Sequence, residues 1–167
     1  ISACGVMFTE EPEGGIAWQE DSDAEGTIKT TGITTIQVAF GHNEGVVNSK
    51  VRVNTFIAQT LPGMTEPVFY PVVRAKWERL VPVAGKAELE VVKNPEELVL
   101  SPALSDDALR TLKKFADALE QFYGYPVDVE YVVRNNIIYI VQARPIVHRP
   151  GRTTPSYLPT LKNVSKE

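Results

Sequence analysis

Alternating apolar and polar positions predict a series of short β-strands along most of the chain. The strands are predicted at residues 4–9, 34–40, 51–57, 68–74, 89–92, 127–133 and 137–143. Prolines at positions 62, 67, 71 and 82 interrupt the middle of the chain, so the strands there are expected to be short or at a sheet edge.

Between the fifth and sixth of these strands the pattern changes from a period of two to a period of three to four. Apolar residues then recur on one side of residues 105–123, which predicts an amphipathic helix. Ser105 is suited to cap its start, and Gly124 followed by Pro126 is suited to end it. Strands, one long helix and a final hairpin predict an α+β fold in which an antiparallel sheet packs against the long helix.

Composition narrows the function classes. The chain has 167 residues, 43% of them hydrophobic, and a net charge of -4, which argues against non-specific nucleic-acid binding. Because the chain has one cysteine, Cys4, an internal disulfide is excluded. Cys4 lies in an apolar strand and is interpreted as a small core residue. No apolar run approaches the length that spans a bilayer, and no secretory signal is visible. A reducing, cytoplasmic location without membrane partners is the resulting expectation.

Two regions are distinguished along the chain. Residues 1–146 carry the strands and the helix, whereas residues 147–167 are rich in proline and polar side chains and are predicted to be a linker or tail toward a following domain. The chain starts without an initiator methionine and almost directly with a strand, which is typical of a domain cut from a longer protein. His42 and His148 are interpreted as solvated side chains rather than phosphate acceptors.

The last hairpin carries the most informative polar residues. Asp128 and Glu130 lie two positions apart, as do Gln142 and Arg144 on the next strand. The two carboxylates would lie about 6.6 Å apart on one face of their strand. At that distance they would repel each other by about 2.5 kcal/mol at an effective dielectric constant near 20. Such a cluster suits Mg²⁺ with a polyphosphate, and the alternative is a solvated sheet face with an Asp–Arg ion pair.

The hairpin register decides whether these side chains meet. A two-residue loop at Asn135 and Asn136 pairs residue 134 with 137, which would put Gln142 opposite Val129 and disperse the cluster. A three- or four-residue loop would instead place all four polar side chains on one surface. We predict the convergent register and therefore a pairing other than 134 with 137.

Several segments resemble one known family. Residues 123–131 and 138–146 are similar to the YGxPxDIEW and LxxLQxRP patterns that end the ATP-grasp nucleotide-binding domain of phosphoenolpyruvate synthase and pyruvate phosphate dikinase. Residues 4–9 resemble the SGVMFT strand of that family, and residues 40–47 resemble its FGLGExVV segment. The motifs occur in the family's order, and they identify residues 1–146 as resembling the C-terminal half of this domain.

The resemblance implies a function and a set of site residues. Members of this family use ATP and Mg²⁺ to phosphorylate a histidine on a separate domain, which then passes the phosphate to pyruvate. Glu130 and Gln142 would be the metal ligands. Arg144 and Asp128 would be the catalytic pair, with Arg144 on the phosphates and Asp128 supporting the site. Glu44 would point into the nucleotide cleft, so that nucleotide binding would involve Glu44, Asp128 and Arg144.

The same resemblance implies partners that this sequence does not contain. These are the N-terminal half of the ATP-grasp domain, the phosphohistidine domain and the pyruvate-binding domain. The FGLGE segment departs from the family, because His42 and Asn43 stand in place of leucine and glycine. Two alternatives remain for the function of the chain. One is the same module in another dikinase, of the glucan-water dikinase or rifampicin phosphotransferase type, and the other is a degenerate structural or interaction module.

Overall fold

The computed structural model describes residues 2–9, 33–61 and 63–146. The strands in this part are β1 (Ala3–Phe8), β2 (Ile33–Phe40), β3 (Asn54–Gln59), β4 (Val68–Val72), β5 (Glu78–Pro82), β6 (Leu89–Lys93), β7 (Val127–Arg134) and β8 (Ile137–Pro145). The helices are α1 (Glu44–Val47), α2 (Glu96–Val99) and α3 (Asp106–Tyr123). The predicted tail at 147–167, together with His148, lies outside the described residues.

Six strands form one sheet in the order β4-β3-β2-β1-β7-β8, and each neighbouring pair is antiparallel. The expectation of mixed helices and antiparallel strands is thus confirmed. The strand predicted at 51–57 is displaced, since β3 runs over Asn54–Gln59. We did not predict β5, α1 or α2 from the sequence. The two helices are four residues each, too short for a hydrophobic period to be visible.

Helix α3 lies against one face of the sheet. Its 18 residues begin after Ser105, whose side-chain oxygen accepts a hydrogen bond from the Ala108 N–H (3.2 Å). The helix ends at Gly124, which has a left-handed φ of 72° that glycine adopts without strain. Its Leu109, Leu112 and Ala116 contribute to the main core, together with buried residues of four strands and Leu104. No helix in the described part of the chain is long and apolar enough to cross a membrane.

The opposite face of the sheet carries a smaller apolar cluster formed by Cys4, Val6, Ala39 and Val46. Val46 belongs to α1, so this short helix packs on the face opposite α3. Burial raises the pKa of the Cys4 thiol to about 12, which keeps it protonated and unreactive near neutral pH. The interpretation of Cys4 as a core residue is confirmed.

A separate two-stranded ribbon, β5 and β6, supports the loop between β2 and α1. Gly41 pairs with Leu80 of β5, and the His42 N–H donates to the Leu80 carbonyl at 2.7 Å. Gly41 has a φ of 95°, and a Cβ there would lie 2.3 Å from the Leu80 carbonyl oxygen. The residue must therefore be glycine for the ribbon to approach so closely.

A buried lysine ties the segment after this ribbon to the sheet. The Lys76 ammonium donates to the carbonyl oxygens of Ser101 (2.6 Å) and Val99 (3.3 Å), and it lies 5.5 Å from the centre of the Phe40 ring. Burial lowers the pKa of Lys76 below its ordinary value. Two carbonyl oxygens and the face of the ring hold the ammonium. These contacts position the segment near residue 100 beside the end of β2.

Candidate functional site

The four polar residues of the last hairpin lie together. Asp128 is directly opposite Arg144, and Glu130 is directly opposite Gln142. Because directly opposite residues project to the same side of a sheet, the four side chains share one face. Val127, Val129 and Tyr131 project to the other face and are buried in the core under α3. The hairpin therefore separates an apolar face from a polar one.

The register that produces this arrangement differs from our expectation. Arg134 does pair with Ile137 across the two-residue turn, so the predicted loop was wrong. Asn135 and Asn136 have φ values of 51° and 60°, as a tight two-residue hairpin turn requires. The register then shifts between Glu130 and Tyr131, because Val141 is an extra residue without a partner. This β-bulge turns Gln142 and Arg144 back toward the carboxylates.

Asp128 holds Arg144 by two hydrogen bonds. The guanidinium Nε and Nη2 both donate to Asp128 Oδ2, at 2.9 Å and 2.7 Å. These bonds, with the charges of Asp128 and Glu130, raise the pKa of Arg144 above its ordinary value. The Asp128 side chain is 17% exposed and that of Arg144 is 63% exposed, so the carboxylate orients a guanidinium that remains accessible. An exposed, oriented guanidinium is suited to bind phosphate oxygens.

Glu130 is held from the other side by the loop before α1. The side-chain amide of Asn43 donates to Glu130 Oε2 at 2.7 Å, joining residues 87 positions apart. Asn43 has ordinary helical angles (φ -60°, ψ -32°), so a glycine is not required at this position. In the sequence Asn43 is visible only as a departure from the FGLGE pattern, and its contact with Glu130 was not predicted.

Glu44 lies one residue further, at the start of α1. Its carboxylate is 3.8 Å from the Lys50 ammonium, and its side chain is about half exposed (52%). His42 is exposed, as expected, and its Nδ1 accepts a hydrogen bond from the Glu44 N–H at 3.3 Å. Asn43 thus links the α1 segment to the hairpin, whereas the side chain of Glu44 contacts Lys50.

The donor set is suited to a hard divalent cation. The polar face offers one carboxylate and one amide oxygen from Glu130 and Gln142, and Arg144 stands two positions beyond Gln142 on β8. The described residues contain no group of three or more His, Cys, Asp or Glu that could hold a metal ion. Mg²⁺ does not need such a group, since it often binds one or two carboxylates and takes its other ligands from water and substrate phosphates. These residues fit a magnesium–polyphosphate complex.

Comparison with protein families indicates a nucleotide-binding domain. Residues 2–162 match the family described as pyruvate phosphate dikinase, AMP/ATP-binding domain. The match includes all the site residues, from Asn43 to Arg144.

Individual proteins are also similar to this chain over most of its length. A probable phosphoenolpyruvate synthase of Methanocaldococcus jannaschii is 34% identical over 85% of this chain, and one of Archaeoglobus fulgidus is 30% identical over 85%. The prodigiosin synthesizing transferase PigC of Serratia marcescens is 27% identical over 86%. The chain covers only 10%, 16% and 14% of these three proteins, respectively.

The family match spans nearly the whole chain, and the relatives align with most of the chain's length. Four polar residues of the segments that resemble this family lie on one face of the last hairpin. This chain belongs to the pyruvate phosphate dikinase AMP/ATP-binding domain family.

Proposed function

We propose that the chain is the C-terminal half of an ATP-grasp nucleotide-binding domain and that its last hairpin binds Mg²⁺ and the terminal phosphates of ATP. The observation that carries the proposal is the β-bulge at Val141, which puts Glu130 opposite Gln142 and Asp128 opposite Arg144. A hairpin that served only to complete the apolar core would not need a bulge that brings four polar side chains to one surface. Bulges of this kind commonly aim side chains at functional sites.

Each residue has a distinct role in this proposal. Glu130 and Gln142 hold Mg²⁺ through their side-chain oxygens, and the ion supplies charge neutralisation to the phosphates. Arg144 donates to phosphate oxygens, and Asp128 keeps its guanidinium oriented by the two bonds to Oδ2. Glu44 contributes to the nucleotide cleft. Positive charge placed in advance around the transferring phosphoryl group lowers the barrier to its transfer.

The acceptor of the phosphoryl group lies elsewhere. We propose that it is a histidine on a separate domain of a larger phosphotransferase, of the phosphoenolpyruvate synthase or pyruvate phosphate dikinase type. Two similar proteins are named as probable phosphoenolpyruvate synthases and a third as a prodigiosin synthesizing transferase. The same module in an enzyme with another final acceptor is therefore the second candidate. Residues 147–167 would lead to the next domain.

Binding of ATP to the 167-residue chain tests the phosphate-binding role of the hairpin. The chain provides one wall of the cleft, so we expect weak, Mg²⁺-dependent binding that can be followed by NMR titration. Replacing Arg144 with leucine should weaken this binding about fivefold, an exposed charge-assisted contact being worth about 1 kcal/mol.

Arg134→Leu is the matched control, because Arg134 is an exposed arginine at the tip of the same hairpin. It should leave ATP binding unchanged. An equal loss in both variants would mean that ATP responds only to net charge, which would contradict a specific role for Arg144. Micromolar affinity in the isolated chain would contradict the proposal that a second half of the cleft is needed.

A further inference from the structure

We propose that Asn43 is a positioning residue for the metal site, which orients the Glu130 carboxylate and offers its own amide oxygen to the hydrated cation. The proposal rests on the proposed function, because it presupposes that Glu130 binds Mg²⁺. It assigns a role to a side chain that stands where the family pattern has glycine. Three observations on Asn43 support it.

The first observation is the direction of the side chain. Asn43 occupies the N-cap position of α1, where an asparagine oxygen usually accepts a hydrogen bond from the first turn of the helix. Here the side chain makes no capping bond. The His42 imidazole accepts from the Glu44 N–H instead. Asn43 is therefore directed away from its own helix and toward Glu130 on β7.

The second observation is the contact itself. The Asn43 amide nitrogen lies 2.7 Å from Glu130 Oε2, a short distance for a hydrogen bond of this type. The bond engages one carboxylate oxygen and fixes the rotation of the carboxyl group. The other oxygen, Oε1, is then oriented before any cation arrives. Partners of this kind set the geometry of metal-binding side chains.

The third observation is an unsatisfied acceptor. Asn43 Oδ1 is buried and has no hydrogen-bond partner within the described residues. A buried acceptor without a donor is unfavourable, and such atoms in folded proteins generally indicate a bound water or ligand. Mg²⁺ retains several of its waters in proteins, and each is a strong hydrogen-bond donor. A metal-bound water is thus a donor of the right chemistry for this oxygen.

A double-mutant cycle on the 167-residue chain tests the proposal. The affinity for Mn²⁺ alone is measured from the EPR signal of free Mn²⁺ in Asn43→Leu, Glu130→Gln and the double variant. Leucine has the same number and branching of side-chain heavy atoms as asparagine, but it neither donates nor accepts a hydrogen bond. We expect Asn43→Leu to lower the affinity about tenfold. In the Glu130→Gln background the same change should have less than about a twofold effect, because both contributions of Asn43 require a cation that the Glu130 carboxylate holds.

Asn48→Leu is the matched control, since Asn48 is an exposed asparagine just after α1. It should leave the Mn²⁺ affinity unchanged. The NMR signal of the Asn43 side-chain amide, identified by its loss in Asn43→Leu, provides a readout without metal. This signal should shift in Glu130→Gln, while the corresponding signal of Asn48 should not.

The outcomes separate the two proposals. An unchanged affinity in Asn43→Leu, with a clear loss in Glu130→Gln, would overturn the role of Asn43 and leave the proposed function standing. An equal loss from Asn43→Leu in both backgrounds would also overturn it, since the residue would then act through the fold. An unchanged affinity in Glu130→Gln would contradict the proposed function itself.

Discussion

Replacing Glu130 with glutamine is expected to lower the rate of phosphoryl transfer from ATP by about 100-fold or more in the enzyme that contains this chain. The change keeps the size of the side chain and removes the negative charge that we propose holds Mg²⁺. It also removes the charged acceptor of the 2.7 Å bond from Asn43. The measurement is the formation of phosphoenzyme from ATP, followed over time at saturating Mg²⁺.

Glu90→Gln provides the comparison for this prediction. Glu90 is an exposed glutamate in the middle of β6, so the same chemical change is made on a strand outside the hairpin. Its rate should equal that of the unmodified enzyme. If Glu130→Gln retained the full rate, the hairpin would be a vestigial site and the chain a structural module.

Replacing Gly5 with alanine is expected to have the largest effect on stability, a loss of about 3 kcal/mol or more in the free energy of unfolding. A Cβ at this position would lie 2.0 Å from the Gln37 carbonyl oxygen and 2.4 Å from the Tyr131 hydroxyl oxygen. The Tyr131 hydroxyl donates to this same carbonyl at 3.0 Å. The carbonyl belongs to β2, which is paired with a strand on each side, and the Tyr131 side chain is fully buried, so neither atom has room to move away. Urea denaturation measures the change.

Gly63→Ala serves as the control for this substitution. Gly63 has a φ of 79° and nothing within 4 Å of the position of a Cβ. Alanine there should cost about 1 kcal/mol, from backbone strain alone. A similar cost at Gly5 would mean that Tyr131 and β2 can relax around an added methyl group, and the close packing described here would be wrong.

Much of the fold was predictable because its signals are local. The helix at 105–123 has a capping serine, a three-to-four period and a terminal glycine, and α3 occupies Asp106–Tyr123. Local alternation also located most strands. It misplaced β3, because Val51 and Val53 continue the apolar alternation although the strand begins only at Asn54. The partners of the strands, by contrast, depend on contacts between distant residues.

The residues of the candidate site could be identified from the sequence, but their arrangement in space could not. The two-residue turn at Asn135 and Asn136 taken alone implies the dispersed register. The bulge at Val141 reverses that implication, and an apolar residue within an apolar run carries no sign of being unpaired. The contact of Asn43 with Glu130 was equally hidden, since it joins two elements far apart in the sequence. Only the packing of α1 against the sheet reveals it.

If the polar face of the last hairpin binds a divalent cation, small amounts of Mn²⁺ should broaden the NMR signals of the residues around it by paramagnetic relaxation. The backbone signals of residues 128–130 and 142–144 should broaden first. The exposed carboxylates in the first turn of α3, Asp106 and Asp107, provide an internal comparison at the surface. Broadening that begins at α3, or that spares the hairpin, would show that the hairpin is not the cation site.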